Sequence, residues 1–79
     1  TPKPVIIDCK AKIQPFVIYN NCKKPETNFS HHDLSSASFK NTSLESSNFI
    51  SSILYQANMR YAKLKFANLT KADLTKADL

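Results

Sequence analysis

From Phe29 to the last residue, a large apolar side chain falls at every fifth position: Phe29, Leu34, Phe39, Leu44, Phe49, Leu54, Met59, Leu64, Leu69, Leu74 and Leu79. Two positions before each centre stands Thr27, His32, Ala37, Thr42, Ser47, Ser52, Ala57, Ala62, Ala67, Ala72 or Ala77, all small except His32. A period of five suits neither regular element. On a helix it advances about 140° per step and scatters the apolar residues around the cylinder. On a straight strand it is odd, so successive centres point to opposite faces. A chain that turns one corner per five residues buries them all. The centre and the residue two before it then share the inner face, the residue between them points out, and the remaining two make the corner.

The number of sides is indicated by the outward position. Asn28, Asn48 and Asn68 recur at a spacing of four pentads, and a ladder of like side chains is a way to stack strands. A four-sided coil is therefore expected, with inner columns Phe29-Phe49-Leu69, Leu34-Leu54-Leu74, Phe39-Met59-Leu79 and Leu44-Leu64. The segments "FANLT", "KADLT" and "QANMR" resemble the pentapeptide-repeat family, whose unit is A(D/N)LXX, over residues 25–79. The resemblance implies an all-β fold, a right-handed quadrilateral β-helix of just under three coils. Serine, threonine and histidine replace most of the alanines before Ala57, and His32 is expected near the rim or outside.

Residues 1–24 show no pentad of this kind. They carry two apolar runs, Val5-Ile6-Ile7 and Phe16-Val17-Ile18-Tyr19, which read as short strands. A solenoid end exposes core and unpaired backbone unless something covers it. Two regions are thus expected: an N-terminal cap over 1–24 and the repeat over 25–79. Cys9 and Cys22 are the two cysteines; a disulfide tying the cap, free thiols and a metal role are the alternatives. A bridge, together with the absence of an initiating Met, would suit a processed protein in a periplasmic, lumenal or secreted location. The chain could equally be a piece of a longer array. Glycine is absent, which disfavours turns requiring positive φ.

Charge is unevenly distributed. Residues 1–24 hold five lysines against Asp8, a net of +4, while residues 25–79 hold six basic and five acidic side chains, a net of +1. No apolar run is long enough to span a bilayer. No catalytic constellation or phosphate loop is legible, and no cofactor is implied. His31-His32-Asp33 reads as a solvated corner and not as a metal site, so no enzyme is expected. Ile50, Ile53 and Tyr55 should face out around the middle coil, with Tyr61 and Phe66 at later corners, and such residues are candidates for a protein-binding surface. The reading that follows is a rigid scaffold that binds an unidentified protein and self-associates through its last coil. The alternative is a DNA-mimic regulator of a topoisomerase, a mode some family members show. It requires an acidic rod, and Arg60, Lys63, Lys65, Lys71 and Lys76 oppose it. Direct nucleic-acid binding is not expected, because basic and aromatic residues match no recognised module.

Overall fold

A computed structural model describes residues 7–79. The chain winds into a coil in which each turn lies parallel to the next at a constant offset of four pentads. Parallel bridges join Ile18, Ser38, Asn58 and Asp78 in one column, Lys23, Ser43 and Lys63 in a second, Asn28, Asn48 and Asn68 in a third, and Asp33, Ile53 and Asp73 in the fourth. These columns define sides 1 to 4. Each side pairs through a single bridge residue before the chain turns, so no side grows into a longer strand.

Three backbone hydrogen bonds per pentad join adjacent coils. Phe29 N–H donates to the Asn48 carbonyl at 2.7 Å, Asn48 N–H donates back to Thr27 at 2.9 Å, and the corner N–H of His31 donates to Ile50 at 2.9 Å. The same triplet repeats along the array. Nearly all of the backbone bonding is therefore either between coils or within corners, which leaves few buried peptide groups unpaired.

The corners are four-residue turns closed by a bond from the fourth N–H to the first carbonyl, such as Ala37 N–H to Leu34 at 3.0 Å, except at Lys24–Thr27, where Thr27 N–H donates to Ser47 Oγ at 3.2 Å and the Thr27 hydroxyl donates to the Lys24 carbonyl at 2.8 Å. The third residue of each turn has a positive φ, as in a type II turn. Thirteen non-glycine residues from Phe16 to Lys76 hold φ between 56° and 64°. This overturns the expectation drawn from the missing glycine. The αL conformation costs roughly 1–2 kcal/mol per residue, and from Phe16 to Gln56 the inter-coil bond made by each corner N–H offsets it; Tyr61, Phe66, Lys71 and Lys76 hold the same conformation without that bond. No β-branched residue stands at any of the thirteen positions, whereas Pro15 and Pro25 take the second turn position, where a fixed negative φ fits.

The outward Asn or Asp has a local task besides forming the expected ladder. Its Oδ1 accepts the backbone N–H two residues on: Asn28 from Ser30, Asp33 from Ser35, Asn48 from Ile50, Asn58 from Arg60, Asn68 from Thr70 and Asp73 from Thr75, all at 2.9–3.0 Å. That N–H faces away from the neighbouring coils, so a short side-chain acceptor pins the start of each turn. Where Ser35 and Thr75 add a hydroxyl donor, they hold the Asp33 and Asp73 carboxyls below the ordinary aspartate value.

The core is a stack of inward centres. Phe29, Leu34, Phe39, Leu44, Phe49 and Leu54 are fully buried and Met59 nearly so. Leu64, Leu69 and Leu74 pack against them while partly exposed. Leu79 was expected as a core residue but is 67% exposed, because no coil lies over it here. Phe29 and Phe49 stack at 4.8 Å, and Phe39 meets each of them edge to face at 5.6 and 5.9 Å.

The small inner position tolerates hydroxyls when they find a carbonyl one coil back. Thr42 Oγ1 donates to Tyr19 at 2.7 Å and Ser47 Oγ to Lys24 at 3.0 Å. Ser52 stands in the same relation to Phe29, yet its buried Oγ has no partner. A buried unpaired hydroxyl costs about 1–3 kcal/mol. Ser52→Ala should accordingly raise thermal stability by several degrees in a calorimetric melt, whereas Thr42→Ala should lower it.

The pentad geometry does not start at residue 25. Its bridges and corners reach back through Lys23, Asn21, Ile18 and Phe16. The run Phe16-Val17-Ile18-Tyr19 is thus one corner and one side of the coil, with Val17 and Tyr19 inward and Ile18 outward. The pattern was hidden because the next centre is Lys24, an unusual core residue. Val5 and Ile6 of the other run lie outside the described residues. Ile7, Ala11 and Ile13 pack against the core.

Candidate interaction surfaces

Sides 4 and 2, which lie opposite one another, carry with their corners the outward apolar and basic residues from Ile50 to Lys76, and the register assigns each one. Ile53 is the outward residue of side 4, 41% exposed, between Asp33 in the coil before and Asp73 in the coil after. Ile50 and Tyr55 flank it at the two corners and are half-buried. Tyr55 has the Lys76 ammonium over its ring at 6.0 Å. These three residues form one apolar strip across side 4.

Tyr61 and Phe66 do not join that strip. They occupy the two corners that bound side 2 in the following coil, and are 71% and 79% exposed. The five residues expected to share a surface are therefore divided between opposite sides. One pentad advances the chain by one side, so a sequence separation of six or eight residues carries a side chain round the square. Phe16, 74% exposed, and Ile18, 42% exposed, are further outward apolar residues, illegible in the sequence because Gln14 and Lys24 break the apolar period around Tyr19.

The N-terminal end is organised around the disulfide. Cys9 and Cys22 are bridged, with Cα atoms 5.6 Å apart. Cys22 takes the small inner position of side 2 and is buried, while Cys9 is exposed. The bridge holds the segment from Ile7 across the open end of the first coil. Tyr19 donates its phenolic O–H to the Ala11 carbonyl at 2.5 Å. Burial, and then the nearby Asp8 carboxylate, push that phenol above its ordinary pKa. Lys24 Nζ donates to the Cys9 carbonyl at 2.5 Å and lies 4.6 Å from the Tyr19 ring centroid. A lysine at a centre position is tolerated here because it reaches out of the coil end and finds both a carbonyl and an aromatic face.

No cavity is present among the described residues. Among them, no cluster of three or more His, Cys, Asp or Glu residues is arranged to hold a metal, and His31, His32 and Asp33 all project into solvent. No helix among the described residues is long and apolar enough to cross a membrane.

Comparison with known proteins agrees with this architecture. A sequence model of pentapeptide repeats (8 copies) matches residues 52–79. No curated protein matches the chain. Among solved structures, the chain is similar to HetL, a pentapeptide repeat protein involved in heterocyst differentiation regulation in the cyanobacterium Nostoc sp. strain PCC 7120. The TM-score is 0.77 and the identity 31%, over 78% of this chain and 30% of that one. It is similar in fold to a pentapeptide repeat protein of the Arabidopsis thaliana thylakoid lumen, with a TM-score of 0.66 and 22% identity over 84% of this chain and 47% of that one. Rfr23, a pentapeptide repeat protein of the cyanobacterium Cyanothece 51142, gives a TM-score of 0.55 and 31% identity over 80% of this chain and 46% of that one. The chain thus spans less than half the length of each. With its five-residue core period, its four columns of parallel bridges and these relatives, the chain belongs to the pentapeptide-repeat family, whose members form right-handed quadrilateral β-helices.

Proposed function

We propose that this chain is a non-catalytic scaffold that presents a protein-binding surface on side 4. The observation that carries the reading is the strip Ile50-Ile53-Tyr55, three apolar side chains placed side by side on the outside of a coil whose own core is already complete. An outward isoleucine contributes nothing to that core. A partner that covers it gains burial worth roughly 25 cal/mol per Å² of apolar area. Asp33 and Asp73 above and below Ile53 would select a partner bearing cations around an apolar centre.

The test separates surface from fold. Ile53→Ser with Tyr55→Ser should leave the melting curve within a few degrees of the parent, because neither is a core centre. The same double variant should lose at least about tenfold in affinity for the partner, since two contacts of the 1–2 kcal/mol class are removed. Equal partner recovery by parent and variant in quantitative affinity capture would rule out side 4.

The arrangement of the first coil supports further readings. Residues 7–14 act as the N-terminal cap, covering the coil end through the disulfide, the Tyr19 phenol and the Lys24 ammonium. The bridge favours a periplasmic, lumenal or secreted location. DNA mimicry gains no support from the surface charge, since a mimic needs an acidic rod and Arg60, Lys63, Lys65, Lys71 and Lys76 are all exposed.

A further inference from the structure

We propose that side 2 is a binding platform for single-stranded nucleic acid. The segment Arg60-Tyr61-Ala62-Lys63-Leu64-Lys65-Phe66 crosses this side in one pass. Ala62 and Leu64 turn inward, and Arg60, Tyr61, Lys63, Lys65 and Phe66 are exposed. The order along the surface is cation, ring, cation, cation, ring. One coil earlier the exposed Lys40 lies beneath Arg60, and two coils earlier Lys23 occupies the same column as Lys63. Of the six basic side chains between Lys40 and Lys76, four belong to this side and its corners. The sequence hides the grouping because Lys23, Lys40 and Lys63 are far apart along the chain and come together only through the four-pentad stacking.

Two features favour a nucleic acid over an acidic polypeptide. First, Tyr61 and Phe66 are the most exposed rings of the repeat beyond the first coil, and they stand at both ends of a flat side. Three extended residues span about 10 Å, which leaves room for a short stretch of unpaired strand between two stacking surfaces. Bases stack on such rings whatever their sequence. Second, each ring already has a cation beside it, Arg60 at 5.9 Å from Tyr61 and Lys65 at 5.3 Å from Phe66. A base resting on either ring would therefore have its own phosphate within reach of a positive charge. An acidic peptide would use the cations and leave the rings idle. The acidic neighbours are Glu45 and Glu26 at one corner and Asp78 on side 1, with Asp78 3.7 Å from Arg60. An incoming phosphate competes with Asp78 for Arg60, so binding should be of modest affinity and should show little base preference.

The experiment is fluorescence anisotropy with the full chain and labelled oligo-dT and oligo-U of about 15 nucleotides. If Lys40, Arg60, Lys63 and Lys65 each meet a phosphate, affinity should fall about 50-fold between about 50 and 200 mM salt, a log–log slope near −3. Lys63→Gln should reduce that slope by about 0.7. Tyr61→Ala and Phe66→Ala should each weaken binding at least about fivefold without changing the slope, and Ile53→Ser on the opposite side should change neither. Three results would overturn the proposal: no binding at low salt, wild-type affinity in the folded Tyr61→Ala and Phe66→Ala chains, or competition by polyglutamate as effective as by unlabelled oligonucleotide. The last of these would reassign side 2 to acidic proteins.

Discussion

Phe49→Ala should leave the greater part of the chain unfolded at physiological temperature. Phe49 is fully buried at the middle of the array, stacked on Phe29 at 4.8 Å and edge-on to Phe39 at 5.9 Å. Truncating a buried phenylalanine costs about 3–5 kcal/mol. A domain of this size has about 4–12 kcal/mol in all. In a globular core, neighbours shift to fill part of such a void. Here they cannot, since each inner side chain is fixed by a backbone bonded to the coils before and after it. Circular dichroism melts should therefore show a midpoint lower by some 15 °C or more, or no cooperative transition. Phe49→Leu should fall by only a few degrees. Leu69→Ala, one coil later in the same column and already part-exposed, should lose much less and fray the last coil alone. If Phe49→Ala melts within a few degrees of the parent, the stacked column is not what holds the coil together.

Loss of the disulfide should be the second largest effect, and it should be local. The bridge closes a loop with a sequence separation of 13, for which the chain-entropy account gives about 3 kcal/mol. In a solenoid each coil contacts only its neighbours, so a loss at one end spreads weakly. Cys9→Ser with Cys22→Ser should release the segment from Ile7 and loosen the first coil, while Phe39 to Met59 stay packed. Hydrogen exchange distinguishes this from global unfolding. Protection should collapse at the amides of Ala11, Val17 and Cys22, whose bonds lie in the first coil and its cover, and persist at Phe49 and Leu54. Uniform loss of protection along the chain would mean that the cover supports the whole array. Cys22→Ala is the harsher choice for the buried partner alone, because it leaves Cys9 as a free exposed thiol.

Much of this architecture is legible in the sequence, and the reasons it is not wholly so are physical. The centres from Phe29 onward can be read because burial of large side chains at a fixed period admits few geometries. The earlier units cannot, since Gln14 and Lys24 stand where centres should be on either side of Tyr19, and at a coil end a long polar side chain can escape to solvent or to the covering segment. The corners are illegible for a different reason. Absence of glycine normally argues against positive φ, but here an inter-coil hydrogen bond offsets the αL cost at nine of the thirteen positions, and the last four keep the same turn. The candidate surface was half legible. Outward positions follow from the period, so Ile50, Ile53, Tyr55, Tyr61 and Phe66 were recognised as exposed or part-exposed. Which of them are neighbours depends on counting sides, and that count divides them between sides 4 and 2.

The constant offset of four pentads has a consequence for how such chains change by insertion and deletion. Removing one whole pentad from the middle keeps every downstream centre apolar and every corner in register, so the molecule should still close its core. All outward chemistry beyond the cut, however, rotates by a quarter turn: Tyr61 and Phe66 would leave Lys40 and Lys23 behind and meet a different column. Only gains or losses of twenty residues restore alignment. Length variation in units of five is thus silent for folding and disruptive for recognition, and a surface built across coils is inherited only in whole turns.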